Sequence, residues 1–408
     1  MDKKYLEDYA KLIVKKGVNV QKGEEVWINA ALDQPDFIEL VTKECYKAGA
    51  KEVVVWWHHD PISRLHYLNQ TVSNLGKVNS ITLAKYKYMC KKLPAMIHII
   101  SDDPDAMKGV NQGKVAKARM KSYPKIKKYR DEMDGKYKWT IAAVPSIKWA
   151  EKVFPNLKKE EAVETLWNKI LSCSRVDGVN AVKNWDEHNA FLIAQRKKLE
   201  SLKLKTLIYK SSNGTDFSVE LISGINWGGG VEVTPNNCQY NPNIPSEEVF
   251  TSPYAGKAEG LLVASKPLSY QGELIEDFSI RFKDGKVVEV RARKGQKLLE
   301  HMIAMDDGAK MLGEVALVPY DSPIRESGIL FYETLFDENA ACHVALGAGF
   351  KECLPNGNYL SSEESHLMGI NDSMIHVDFM IGTRDLMIKG ISENGKETVI
   401  FKDGNWAI

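Results

Sequence analysis

The chain has 408 residues, with 55 Lys and Arg against 54 Asp and Glu, 44% hydrophobic residues and 9% aromatics. This composition excludes a disordered chain, and the length is enough for two or three domains. A net charge of +1 provides no global attraction to nucleic acid, anionic lipid or acidic substrates, so any partner is met through a local site.

The N-terminal MDKKYLEDYAKLIVKKG mixes both charge signs and lacks the apolar core of a signal peptide, and no later stretch has the 18 apolar residues of a membrane span. The six cysteines contain no C-x-x-C pair, so reduced thiols and a soluble, cytoplasmic protein are expected. Helical and strand-like patterns then alternate, which predicts an α/β layer with mostly parallel strands. A helix is expected over 5–16, a strand over 25–29, a helix over 35–48 stopped by Gly49, and a strand over 52–57. Strands at 95–100 and 138–144 follow, separated by a helix over 111–132 with a break at Pro124. Two further helices, 158–172 and 186–202, complete an N-terminal α/β domain set at 1–202.

After Leu202 short alternating strands take over, at 204–209, 217–221, 278–282 and 287–291, with Lys283-Asp284-Gly285-Lys286 as a hairpin turn. A second, mixed α/β domain is expected over 203–408. The run Ser373 to Gly382 reads as a strand in which His376 and Asp378 share one face while Ile375, Val377 and Phe379 pack behind them. An imidazole and a carboxylate on one face suit a divalent metal, although an isolated H-x-D triplet is more often a solvent-side pair. Glu314 interrupts the apolar run 311–318, and a carboxylate there must be paired, protonated or metal-bound unless it faces water. His343, before the small residues of Val344-Ala345-Leu346-Gly347-Ala348-Gly349, alone reads as a core histidine. Glu247 and Glu248 lie between prolines in an extended loop, where one of the two acids points inward.

Together these residues supply the histidines and carboxylates of a two-metal hydrolase site. The stretches NIPSEEVFTSP, LGEVALVP, FDENAACHVALG and IHVDFMIG, in that order, resemble the motifs of the thermophilic-type metalloaminopeptidases, the M29 family that includes aminopeptidases T and S. The resemblance extends to YAKLIVKKGVNVQKGEEVWI near the start and covers nearly the whole chain. It implies a C-terminal catalytic domain, two divalent metals (zinc, cobalt or manganese), peptide substrates with a free N-terminus, and a homodimer. It also implies that Glu248, Glu314, Glu338, His343, His376 and Asp378 are metal ligands. Only the family pattern recommends Glu338, since five residues before His343 is off that residue's face in a helix or a strand. Glu314 is the first choice for a carboxylate shared by two metals and Glu248 the second; Glu247 and Glu338 are candidates for a general base.

One position departs from the family: Phe350 stands where a tyrosine is usual, so the ring is kept and a possible catalytic hydroxyl is lost. That departure frames one alternative, a catalytically weakened metal- or peptide-binding homologue. A second is a nucleic-acid-binding module using the Lys- and Arg-rich stretch 114–138, but Asp131, Glu132 and Asp134 interrupt it and a solvated helix face is the simpler reading. Gly228-Gly229-Gly230 lacks the Lys-Ser/Thr of a phosphate loop, and Cys342, beside His343 in a strand, faces away from it.

Overall fold

Four apolar segments in the first half of the chain form parallel strands: β1 (Glu25–Ala31), β2 (Glu52–His58), β3 (Ala95–Ile100) and β4 (Trp139–Ala143). Their order is β2-β1-β3-β4 in the computed structural model, which describes all 408 residues. The connecting helices cover the sheet. Tyr9, Phe37 and Trp167 form one aromatic contact chain, with ring centroids 5.6 and 5.7 Å apart. Trp27 and Met96, cross-strand neighbours of β1 and β3, pack with Met89 and Met133 from helices Ser80–Lys92 and Gln112–Met133.

Helix Gln112–Met133 runs through Pro124, where the sequence predicts a break. A proline removes one backbone hydrogen bond, and the burial of Ala118 on one side and of Tyr129 and Met133 on the other holds both halves in line. The first helix, Lys3–Leu12, also ends earlier than expected, in a π-helical turn at Ile13–Gly17. The carbonyls of Lys16 and Gly17 there both accept the Asn241 N–H at 2.9 Å.

That contact belongs to a change in the domain boundaries. The chain divides into Met1–Glu187 with Val231–Ile244, and His188–Gly230 with Pro245–Ile408, rather than at a single cut after Leu202. The return segment joins the first unit because Asn243–Ile244 adds a parallel strand beside β4. Two residues carry no periodicity to read.

The second unit contains a nine-stranded sheet built from strands within 204–221, 253–294 and 387–406. Its 283–286 hairpin turns through Asp284 and Gly285, both at positive φ (50° and 74°), as the Asp-Gly pair predicts. A separate four-stranded antiparallel sheet has the order β5 (Val249–Thr251), β6 (Leu312–Leu317), β7 (His343–Gly347) and β8 (His376–Met380). β8 is shorter than the expected 373–382 because the Asp306 carboxylate captures the Ser373 hydroxyl (2.7 Å) and the Met374 N–H (2.6 Å). Val315, Leu317, Val344, Leu346, Val377 and Phe379 line the core face of this sheet and are buried. No helix is long and apolar enough to cross a membrane.

Candidate metal centre

The other face of β6–β8 is polar, and its register explains why. Glu314 pairs with Ala345, and Ala345 pairs with Asp378, so the three project together. His343 and His376 stand two residues before Ala345 and Asp378 and share that face. Ala345, with only a methyl group, leaves room between the two carboxylates.

Glu314 reaches this face through a β-bulge. Leu312 pairs with Leu346, and an unbroken ladder would set Gly313 opposite Ala345 and turn Glu314 into the core. The extra residue is Gly313, where a Cβ would sit 2.1 Å from the Ala348 carbonyl oxygen and 2.4 Å from that of Gly347. Only glycine allows that approach. Asn371 braces the same corner by donating from Nδ2 to the carbonyls of Gly347 (2.6 Å) and Gly308 (2.8 Å). Glu248, just before β5, completes the face.

His343 Nε2 lies 3.1 Å from Glu248 Oε2, and His376 Nε2 lies 3.1 Å from Glu314 Oε2 and 3.4 Å from Asp378 Oδ1. Each imidazole is held from behind, with Nδ1 against a backbone carbonyl: Ala341 O at 3.2 Å for His343 and Ala348 O at 2.7 Å for His376. That contact fixes the tautomer that leaves Nε2 free for a metal. Two overlapping groups result, Glu248, Glu314 and His343, and Glu314, His376 and Asp378, with the ligand atoms of each within 4.8 Å of one another.

The cluster carries more negative charge than its own cations balance. Burial pushes the Glu314 carboxyl up to about 7, reinforced by Asp378 and Glu248 and opposed by the His376 hydrogen bond. Glu338 is raised well above the carboxylate range by burial and by the charges of Asp378, Glu248 and Glu314. Burial works against protonated His343, but the Glu248 hydrogen bond and the surrounding carboxylates hold its pKa up to about 9. Burial likewise opposes ionised Asp378, yet His376 keeps it down at about 2. Asp378 Oδ1 is buried and has no partner beyond its 3.4 Å ion pair with His376 Nε2. A carboxylate oxygen so sparsely partnered among buried acids and oriented imidazoles fits a divalent cation.

Residues 2–406 match the thermophilic metalloprotease (M29) family. The chain belongs to that family. Aminopeptidase 2 of Geobacillus stearothermophilus is 38% identical over 405 residues, covering 99% of this chain and 98% of that protein. Aminopeptidase AmpS of Bacillus subtilis is 38% identical over 403 residues, 98% of each chain. The solved structure of wild-type AmpT from Thermus thermophilus superposes with a TM-score of 0.90 at 35% identity, covering both chains completely.

In this M29 protein the remaining sequence candidates separate. Glu338, on a 3₁₀ turn, is coupled electrostatically to the cluster but belongs to neither three-residue group. Glu247 turns aside: its N–H donates to Asn339 Oδ1 at 2.7 Å and its carboxylate lies 4.0 Å from His188 Nε2. Phe350 packs its ring against His376 (centroids 4.8 Å apart) and Phe250 (5.3 Å). Cys342 exchanges hydrogen bonds with the Val318 backbone, and burial pushes its thiol up to about 12, so it is a structural group. Sequence reasoning missed Gly313, Asn371, Asn339 and His188. Gly313 and Asn339 lie within LGEVALVP and FDENAACHVALG without standing out there as site residues, although the glycine directly before Glu314 in an apolar strand was a bulge signal.

Proposed function

We propose that the protein is a metal-dependent aminopeptidase whose second unit carries the catalysis. The observation that supports this most directly is the pair of ligand groups meeting at Glu314 in a chain of a metalloprotease family whose relatives are named aminopeptidases. In this reading Glu248, Glu314 and His343 hold one divalent ion and Glu314, His376 and Asp378 a second, with Glu338 a further ligand or the general base. Zinc, cobalt and manganese all suit such a mixed carboxylate and imidazole set. Bound ions of this kind supply Lewis acidity, a water acidified toward neutrality and an anchor for a free α-amino group.

The chain's own residues do the rest. The backbone contacts at Nδ1 keep both imidazoles aimed, the bulge keeps Glu314 on the working face, and Phe350 with Phe250 shields one side of His376 from water. The Glu247 backbone is tied to Asn339 and its carboxylate is turned toward His188, 4.0 Å away, which favours Glu338 over it as the proton acceptor. The relatives support peptides with free N-termini as substrates; a homodimer and, with all six cysteines unbridged, a cytoplasmic setting complete the proposal.

A peptidase assay on a free peptide and its N-acetylated form, before and after chelation and metal return, tests this reading. Cleavage of the free peptide alone, lost with chelator and restored by metal, is the expected result. Equal rates on both peptides would make the protein an endopeptidase, and chelator-resistant cleavage would remove the metal from the reaction.

A further inference from the structure

The parallel sheet of the first unit carries a second set of metal-ligand side chains at its carboxyl end. β2 ends at His58, Asp60 opens the helix Asp60–Asn69, and Asp102 stands two residues after β3. In the order β2-β1-β3-β4, β2 and β3 flank β1 and are two strand spacings, about 10 Å, apart. The same order reverses the direction of winding between β1 and β3, and in open parallel sheets ligands bind at the strand ends beside such a reversal. His58 and Asp102 reach across the end of β1, with Nε2 of the imidazole 3.0 Å from Oδ1 of the carboxylate. One ligand atom from each of His58, Asp60 and Asp102 lies within 4.8 Å of the other two. Neighbouring ligand atoms around a tetrahedral zinc ion stand roughly 3.4 Å apart, inside that range.

The local charges favour a cation. Asp102 meets only His58, and Asp60 accepts only the Asp103 N–H, at 3.1 Å through Oδ2, which leaves its Oδ1 without a partner. The nearby basic side chains are engaged elsewhere. Arg64, one helical turn after Asp60, donates from Nη1 to the carbonyls of Ala106 (3.1 Å) and Lys108 (2.6 Å), and Lys152 meets Asp105 at 3.0 Å. Two carboxylates therefore face one imidazole, and even a protonated imidazole would balance only one of them.

The imidazole sets the class of ion. Carboxylates alone suit magnesium or calcium, whereas a nitrogen ligand among them favours a transition metal such as zinc. The His58 and Asp102 side chains are 40% and 48% exposed, so an ion can enter from solvent and keep water on its remaining positions. Asp60 also lines a cavity of about 720 Å³, toward which such positions could open. We propose that His58, Asp60 and Asp102 hold one divalent transition-metal ion at the end of β1. The site shares no residue with the Glu314 cluster, and this inference stands apart from the aminopeptidase reading.

Crystals of the full chain grown with zinc and measured on either side of the zinc absorption edge test it, because the position of an anomalous peak tells the two clusters apart. A peak bounded by His58, Asp60 and Asp102 is expected. In solution, competition with a chromophoric chelator at micromolar zinc is expected to show one ion more per chain in wild type than in His58→Ala with Asp102→Asn. Both replaced side chains are partly exposed, so the variant is expected to fold. The same one-ion difference is expected when both chains also carry Glu314→Gln, so that failure of the metal centre in the second unit is read separately from failure of this site. A hundredfold excess of magnesium is expected to leave the ion in place. No peak at the triad, equal ion counts in wild type and variant, or a difference that vanishes with Glu314→Gln would each overturn the proposal. A crystal peak without a solution difference would mean an adventitious ion only, and displacement by magnesium would refute the transition-metal assignment. If the double variant does not fold, Asp60→Asn replaces it: zinc affinity at this site weakened about tenfold or more supports the proposal, and unchanged affinity refutes it.

Discussion

Replacing Gly313 by alanine tests the device that brings Glu314 to the working face. The new Cβ would lie 2.1 and 2.4 Å from two backbone carbonyl oxygens, and neither can swing away as a flexible side chain could. Either the bulge opens or β6 slips by one residue, which turns Glu314 toward the core. Overpacking of this kind costs about 1–3 kcal/mol, equivalent to a fall in Tm of roughly 3–10 °C for a unit of this size. Displacing a group shared by both ligand sets should lower metal affinity by about 10–100-fold or more, well beyond what the lost stability explains. Gly256→Ala is the control: its φ of +77° makes alanine unfavourable, but the nearest atom to the new Cβ is the Met311 sulfur at 4.0 Å. Metal content by mass spectrometry, measured well below the Tm of each variant, should fall for Gly313→Ala and hold for Gly256→Ala. Wild-type metal content and turnover in Gly313→Ala would refute the role given to the bulge.

Glu314→Gln should lose both ions together, whereas His376→Ala should lose the one it shares with Asp378 first; stepwise loss in Glu314→Gln, read by metal titration, would deny it the shared position. Phe350→Tyr places a hydroxyl on the ring beside His376, and kcat is expected to rise by up to roughly 100- to 1000-fold, since one preorganised donor is worth about 3–4 kcal/mol in favourable cases. Unchanged or lower kcat at equal metal occupancy would show that the missing phenol does not limit turnover. A further prediction concerns stability against pH. Burial raises the Glu232 carboxyl from 4.5 to about 7 against the opposing Tyr240 hydrogen bond. The folded protein therefore holds this proton more tightly than the unfolded chain, a stabilisation complete below pH 4.5 and lost as pH rises through 7. Glu232→Gln removes that dependence and should gain on wild type by up to about 3 kcal/mol between pH 4.5 and 8. A stability gap in urea denaturation that does not change with pH would contradict the assignment.

The parts of the site legible in the sequence are those governed by local periodicity. His376 and Asp378 share a face because they are two apart in a strand, and the core residues between and around them are apolar. Glu314 was legible only as an acid in an apolar run. Its direction depends on a register shift at Gly313 that strand alternation alone does not encode. Glu247 and Glu248 are equivalent in an extended loop until tertiary partners divide them, His343 taking the Glu248 carboxylate while Asn339 accepts the Glu247 N–H and the Glu247 carboxylate turns toward His188. The parallel strands of the first unit were readable from β-branched runs. Their order, and the return of Asn243–Ile244 to the edge of β4, depend on pairings across about a hundred residues of chain that no local pattern carries.

The central claim is that Glu314 joins two ion sites on one sheet face. Crystals of the metal-loaded protein, measured on either side of the absorption edge of the ion supplied, test it most directly. Two anomalous peaks are expected in the second unit, one among Glu248, Glu314 and His343 and the other among Glu314, His376 and Asp378. A single peak there, or two peaks there that Glu314 does not touch, would contradict the account.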